Sequence, residues 1–169
     1  MKKIIAMLLV MVMAVSMIAC GEAAPAKTPL AGTMEENVLK VMEIAPVEFM
    51  GGIIPVDLSD ADATWYFTGL SDASKITDVA VYESMMGAQA FSLVMARAAE
   101  GVEPKEVAQE MKDNIKPRKW VCVGADEVMA AGYGDTVMFI MVDSQLGLSA
   151  QTYVDAFKTV CGADLDFTI

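Results

Sequence analysis

The sequence predicts an α+β domain: a mainly antiparallel sheet with helices packed on one face, preceded by a helix at the domain's N-terminal end. Two observations lead there. A hairpin followed by a helix occurs twice, at about 78–117 and 120–162, with the apolar pattern switching from strand-like runs to a helical stripe each time. The stretch 33–169 is also long enough to bury one real core and shows no linker-like break, so it reads as a single domain.

The elements follow in order. Thr33 stands three residues before Glu36, the spacing of a capping box, and Met34, Val38, Val41, Met42 and Ala45 recur at helical intervals until Pro46 ends them. Residues 48–57 fit either a short strand or an extended connection, because Gly51-Gly52 and Pro55 interrupt an apolar run. Ser59 is expected to cap a short helical turn from Asp60 to Trp65, and Trp65, Tyr66, Phe67 and Leu70 to supply core bulk. Residues 78–86 and 88–97 read as strands meeting at Gly87. The second is apolar on both faces, Phe91, Leu93 and Met95 against Ala90, Val94 and Ala96, which places it away from a wet sheet edge. Pro104 suits a first helical turn, Val107, Met111 and Ile115 share one stripe, and Pro117 stops the helix. Residues 120–132 and 135–142 read as strands joined at Tyr133-Gly134. Ser149 then caps a helix whose Tyr153, Phe157, Val160 and Cys161 form a stripe ending before Gly162.

Ahead of this domain, residues 1–19 have the form of an export signal: Lys2 and Lys3 lead an apolar run of 16 residues from Ile4 to Ala19. Met17-Ile18-Ala19-Cys20-Gly21 resembles the lipobox of bacterial lipoproteins, which implies lipid attachment at Cys20 after cleavage before it. Two acyl chains would hold the protein on the outer face of the cytoplasmic membrane, since a single chain attaches only marginally. The alternatives are ordinary cleavage and an uncleaved anchor, although the apolar run falls short of the roughly 20 residues a spanning helix needs. Residues 20–32, with Pro25, Pro29 and no apolar period, read as a flexible tether.

Removing residues 1–19 takes away two lysines and no acid, so the net charge of −11 becomes −13. Such acidity argues against nucleic acid, which rewards clustered Lys and Arg, and is accounted for by solvation. Cys122 and Cys161, the remaining thiols, could pair in an oxidising compartment or pack as small hydrophobes, and packing is the expectation.

The chain has no histidine, which removes Ser-His-Asp hydrolysis and every His-containing zinc site. Ser84 lies in no nucleophile elbow, and no phosphate-binding glycine loop occurs. Asp57, Asp60 and Asp62 form the densest carboxylate run, but it lacks the glycine and distal glutamate of a calcium loop, and Asp60 suits a helix start. No metal or cofactor is therefore expected. Lys112, Lys116, Arg118 and Lys119 fall within eight residues. They could touch anionic lipid or wall polymer, or simply complement a helix that begins with Glu103, Glu106 and Glu110. Met85-Met86 offers either an adaptable recognition surface or core filling.

The order of elements, with Ser84-Met85-Met86-Gly87-Ala88, Arg118-Lys119-Trp120-Val121-Cys122-Val123 and Gly132-Tyr133-Gly134-Asp135, resembles a family of small Gram-positive bacterial lipoproteins known only as domain of unknown function 4358. The resemblance covers about residues 33–162 and the lipobox, and the chain departs from it at Gln89-Ala90-Phe91-Ser92, where members carry a more acidic stretch. It implies an extracytoplasmic lipoprotein and supplies no catalytic residue.

The expected function is a non-enzymatic, membrane-tethered binding or interaction module of the cell envelope, its partner an envelope protein, a wall polymer or a small solute. An enzyme acting on glycan through two carboxylates facing each other across a cleft is the alternative. A structural subunit docked to a membrane complex would instead expose an apolar patch.

Overall fold

A computed structural model describes residues 28–169, so Cys20, the signal and most of the tether lie outside the described residues. Six antiparallel strands form one sheet in the order β1-β2-β3-β5-β4-β6. They are β1 (Gly51–Ile54), β2 (Ile76–Ser84), β3 (Phe91–Ala98), β4 (Glu127–Tyr133), β5 (Thr136–Val142) and β6 (Phe167–Thr168). Four helices accompany them: α1 (Met34–Ile44), α2 (Ala61–Thr68), α3 (Pro104–Asn114) and α4 (Ala150–Cys161). None of the described helices is long and apolar enough to cross a membrane.

The α+β class and the antiparallel sheet agree with the sequence reading, but the helices occupy both faces of the sheet and not one. Phe91, Leu93 and Met95 of β3 join Met138, Ile140 and Val142 of β5 beneath α1 and α4. Val94 and Ala96 join Val81, Val137, Phe139 and Met141 against α3, where Val107, Ala108 and Met111 are buried. Alternating residues of a strand point to opposite faces, so a strand apolar at every position needs cover on both sides. Every residue of β5 is buried, as is all of β3 except the half-buried Arg97.

The caps are mostly those expected. Thr33 and Glu36 form a reciprocal capping box on α1, Pro104 opens α3, and Ser149 accepts from the Gln151 N–H on α4, which ends at Gly162 with φ 65°. The cap of α2 is Asp60, not Ser59: the Asp60 carboxylate accepts from the Ala63 N–H, while Ser59 turns its N–H and hydroxyl to Asp57. Leu30 and Gly32, just ahead of Thr33, are held to the sheet, because Arg97, paired with Asp135 at 2.7 Å, also donates to their carbonyls.

Two strand boundaries differ from expectation. The first hairpin breaks over 85–90 and not at Gly87 alone. The strand expected from Trp120 starts only at Glu127, because residues 117–125 close a loop in which Ala125 N–H reaches the Pro117 carbonyl at 2.8 Å. A side chain at Gly124 would come within 2.8 Å of Arg118 and 3.1 Å of the Pro117 carbonyl, so this tight return depends on glycine there.

Several carboxylates hold these turns together. Hydrogen bonds from Ser59, Ser74 and Ser144 hold Asp57, Asp72 and Asp126 below their ordinary range. Burial pushes Glu110 up, but Lys75 and the Ser71 N–H and hydroxyl outweigh it and leave this carboxyl lowered. Groups depressed in the folded state contribute stability that is present above their unfolded values, about 3.9 for Asp and 4.3 for Glu, and lost as pH falls through the folded ones. Denaturant melts should therefore show constant stability from pH 7 down to about pH 5 and a progressive loss below about pH 4. A midpoint that holds steady down to pH 2.5 would contradict this assignment.

Candidate functional site

The end of the sheet where β1 begins and β2 finishes carries the most distinctive chemistry of the described residues. Glu83 of β2 faces the α3 side of the sheet and pairs with Lys119 from the 117–126 loop. Their side chains are only 8% and 4% exposed. The Lys119 ammonium also lies 5.1 Å from the ring centre of Tyr66, 5.2 Å from Phe67 and 5.4 Å from Trp120, within the range of cation–π attraction. Burial holds this ammonium below its ordinary range, and the Glu83 carboxylate works against that shift. Tyr66 is moved up by burial and by the charge of Glu83.

A methionine rim lies just outside this ion pair. Met85 N–H donates to the Met50 carbonyl at 2.9 Å, extending the β1–β2 ladder by one pair beyond Gly51 and Ser84. Met50 and Met85 thus face each other across the strands, on the same side of the sheet as Glu83. The Met85 sulfur lies 3.9 Å from where a Gly52 side chain would begin. Val121 N–H donates to the Gly87 carbonyl at 3.0 Å and fastens the 117–126 loop to the same corner. The exposures here are high for such side chains: Met50 73%, Met85 65%, Met86 54% and Val121 71%.

The predicted cation cluster is divided by the fold. Lys119 is buried in its ion pair, so of the four it is not available for the anionic-surface contact that was one of the two readings; Lys116 and Arg118 are exposed and Lys112 is half-buried. Trp65 and Tyr66, expected in the core, are 40% and 49% exposed, while Leu70 is buried. They line a cleft of about 200 Å³ with Asn114, Ile115, Lys116 and Lys119. No disulfide joins Cys122 to Cys161. Contrary to the packing expectation, Cys122 is exposed and holds a left-handed φ of 63°, in the loop next to Val121.

The remaining candidates have structural occupations. Asp57 and Asp60 serve the turn and cap at the start of α2, and among the described residues no three His, Cys, Asp or Glu side chains gather around a common point. A broad hollow of about 670 Å³ beside α4 holds Asp155 and Asp164, but both are exposed, and Lys158 lies 2.6 Å from Asp164. They do not face each other across an enclosed cleft. Ser92, opposite Glu83 on β3, has a hydroxyl with no hydrogen-bond partner among the described residues. Ser92 is 0% exposed, so this hydroxyl is not presented to solvent as a nucleophile would be. No family model matches the chain, and neither a curated protein nor a solved structure does.

Sequence reasoning found Met85 and Met86 but missed Met50, Glu83 and the exposure of Cys122. The Lys119–Glu83 pair spans 36 residues, and only the sheet brings its members together.

Proposed function

We propose that this chain is an extracytoplasmic lipoprotein, anchored by Cys20 to the outer face of the cytoplasmic membrane, and that it acts as a non-enzymatic binding module through its methionine rim. The observation that carries the binding role is the group of exposed Met50, Met85, Met86 and Val121 gathered at one corner of an otherwise well-packed sheet. Exposed methionines favour an apolar protein partner over a polar wall glycan, since their flexible thioethers adapt to varied apolar shapes.

The rim's position supports the same reading. The chain enters the domain beside the β4–β5 turn, where Thr28 and Pro29 lie near Gly134, whereas the rim is at the opposite end of β2 and β3. A domain tethered at its entry end would present the rim away from the lipid. The resemblance of residues 33–162 and the lipobox to small Gram-positive bacterial lipoproteins supports the anchored address alone and does not bear on the rim.

Cys20→Ala should move the protein out of the membrane fraction or leave a precursor of higher mass, with the fold unchanged. Unchanged fractionation together with unchanged mass would overturn the anchor. In the same cells, Met50→Asp with Met85→Asp should remove a partner crosslink formed by the wild type, and its persistence would overturn the rim as the contact surface.

A further inference from the structure

The rim also holds a set of donors that apolar docking does not require. Three thioethers, from Met50, Met85 and Met86, and one thiol, from Cys122, are all exposed at this corner. Cross-strand partners have Cβ atoms about 4.5–5.5 Å apart, so the Met50 and Met85 sulfurs, each on a side chain with three rotatable bonds, can close on one ion. The hydrogen bond from Val121 N–H to the Gly87 carbonyl brings in the other two. Met86 immediately precedes one end of that bond, and Cys122 immediately follows the other. Consecutive Cα atoms are about 3.8 Å apart, so the backbones of Met86 and Cys122 lie beside the two ends of that bond, at the same corner. The left-handed backbone at Cys122 is uncommon for a residue other than glycine.

We propose that this sulfur cluster is a binding site for monovalent copper. Thiolate and thioether donors select soft Cu(I), whereas zinc prefers imidazole and several thiolates, and calcium and magnesium want oxygen. The chain has no histidine and one thiol at this corner, so the donor set discriminates against zinc. Binding joins Cu(I) to the Cys122 sulfur with release of one proton, and the thioethers coordinate without losing any. The copper enters and stays as Cu(I), so no electron is transferred. The buried Glu83–Lys119 pair fixes the loop that carries Cys122, while the flexible methionines supply the adaptability to enclose an ion. The site does not depend on the anchor, and it shares with the docking role only its location.

The full chain, purified without oxygen, should withdraw one equivalent of Cu(I) from its bicinchoninate complex, and X-ray absorption should show sulfur ligands alone. Replacing Met50, Met85 and Met86 together with Leu should weaken binding at least tenfold, as should Cys122→Ser, with unchanged circular dichroism in both. Failure of the wild type to take copper would overturn the proposal. So would undiminished binding by the triple Leu variant, which would reduce the site to an adventitious thiol. Leucine keeps the apolar surface, so the triple variant should retain the partner crosslink even as it loses copper. That separates failure of the copper site from failure of the docking surface.

Discussion

Glu83→Ala should destabilise the folded domain by about 3–5 kcal/mol, because it leaves the Lys119 ammonium buried without its counter-charge. The wild-type pair is enclosed on both sides, with neither side chain more than 8% exposed. Solvent cannot replace the lost carboxylate unless the 117–126 loop opens. The three rings lie around Lys119 whether or not Glu83 is there, so their cation–π attraction is common to both proteins and does not replace the lost ion pair. Chemical unfolding monitored by Trp fluorescence measures the effect directly, because Trp120 lies against the ammonium.

Two further measurements distinguish a buried ion pair from ordinary packing. Removing the whole pair, with Glu83→Leu and Lys119→Met together, should restore most of the stability, since apolar replacements of buried pairs are often neutral or stabilising. The pH dependence of Glu83→Ala should also differ. Burial already lowers the Lys119 ammonium in the wild type, and loss of Glu83 removes the contribution that opposes it. A folded pKa below the unfolded value means that the unfolded chain binds more protons between the two, so stability rises with pH across that window. Glu83→Ala should therefore recover stability as pH rises towards that of a free lysine, about 10.4. A loss below about 1 kcal/mol, the range of a solvated pair, would show that the pair is exposed in solution.

How far the sequence specified these features depended on how local they are. Thr33 with Glu36, Pro104 with its Val107–Met111–Ile115 stripe, and Ser149 with Gly162 each place a helix through contacts a few residues apart, and all three helices formed as read. The continuous apolar run of β3 was read only as placing it away from a wet edge, although it also demands cover on both faces; which helix covers which face depends on non-local packing. The neighbours in the sheet were equally hidden: β3 pairs with β5, and β6 adds only two residues beside β4. Val121-Cys122-Val123 has strand-forming residues, yet the return to Pro117 and the Lys119 ion pair hold it as a loop. Met85-Met86 was legible as a recognition surface or core filling, but Met50 was hidden for the same reason. Met50 lies 35 residues before Met85 in the chain, and nothing around it marks it as a partner.

Phe91→Ala should cost a similar amount, about 3–5 kcal/mol, and should loosen the rim as well. Phe91 is fully buried at the start of β3, and three rings meet it edge-on: Tyr153 at 5.1 Å, Phe49 at 5.6 Å and Tyr82 at 6.2 Å. Tyr153 is itself buried, which pushes its hydroxyl up to about 12. Phe49 directly precedes Met50, and β1 is a four-residue edge strand paired only with β2. Tyr82 in turn covers Gly51, where an added side chain would meet its ring at 2.5 Å. Losing Phe91 therefore removes the support of both aromatic residues that hold β1 from the α1 side. Hydrogen exchange of residues 51–54 should accelerate beyond what the global loss of stability explains. Phe139→Ala is the control: an equally buried ring of the same size, but on the α3 face and in the other core cluster, apart from the Phe49, Tyr82 and Tyr153 rings. It should match Phe91→Ala in global stability while leaving exchange in β1 governed by global unfolding alone. Equal local acceleration in both variants would mean that the corner bearing Met50 is held by the sheet as a whole and not by the aromatic cluster.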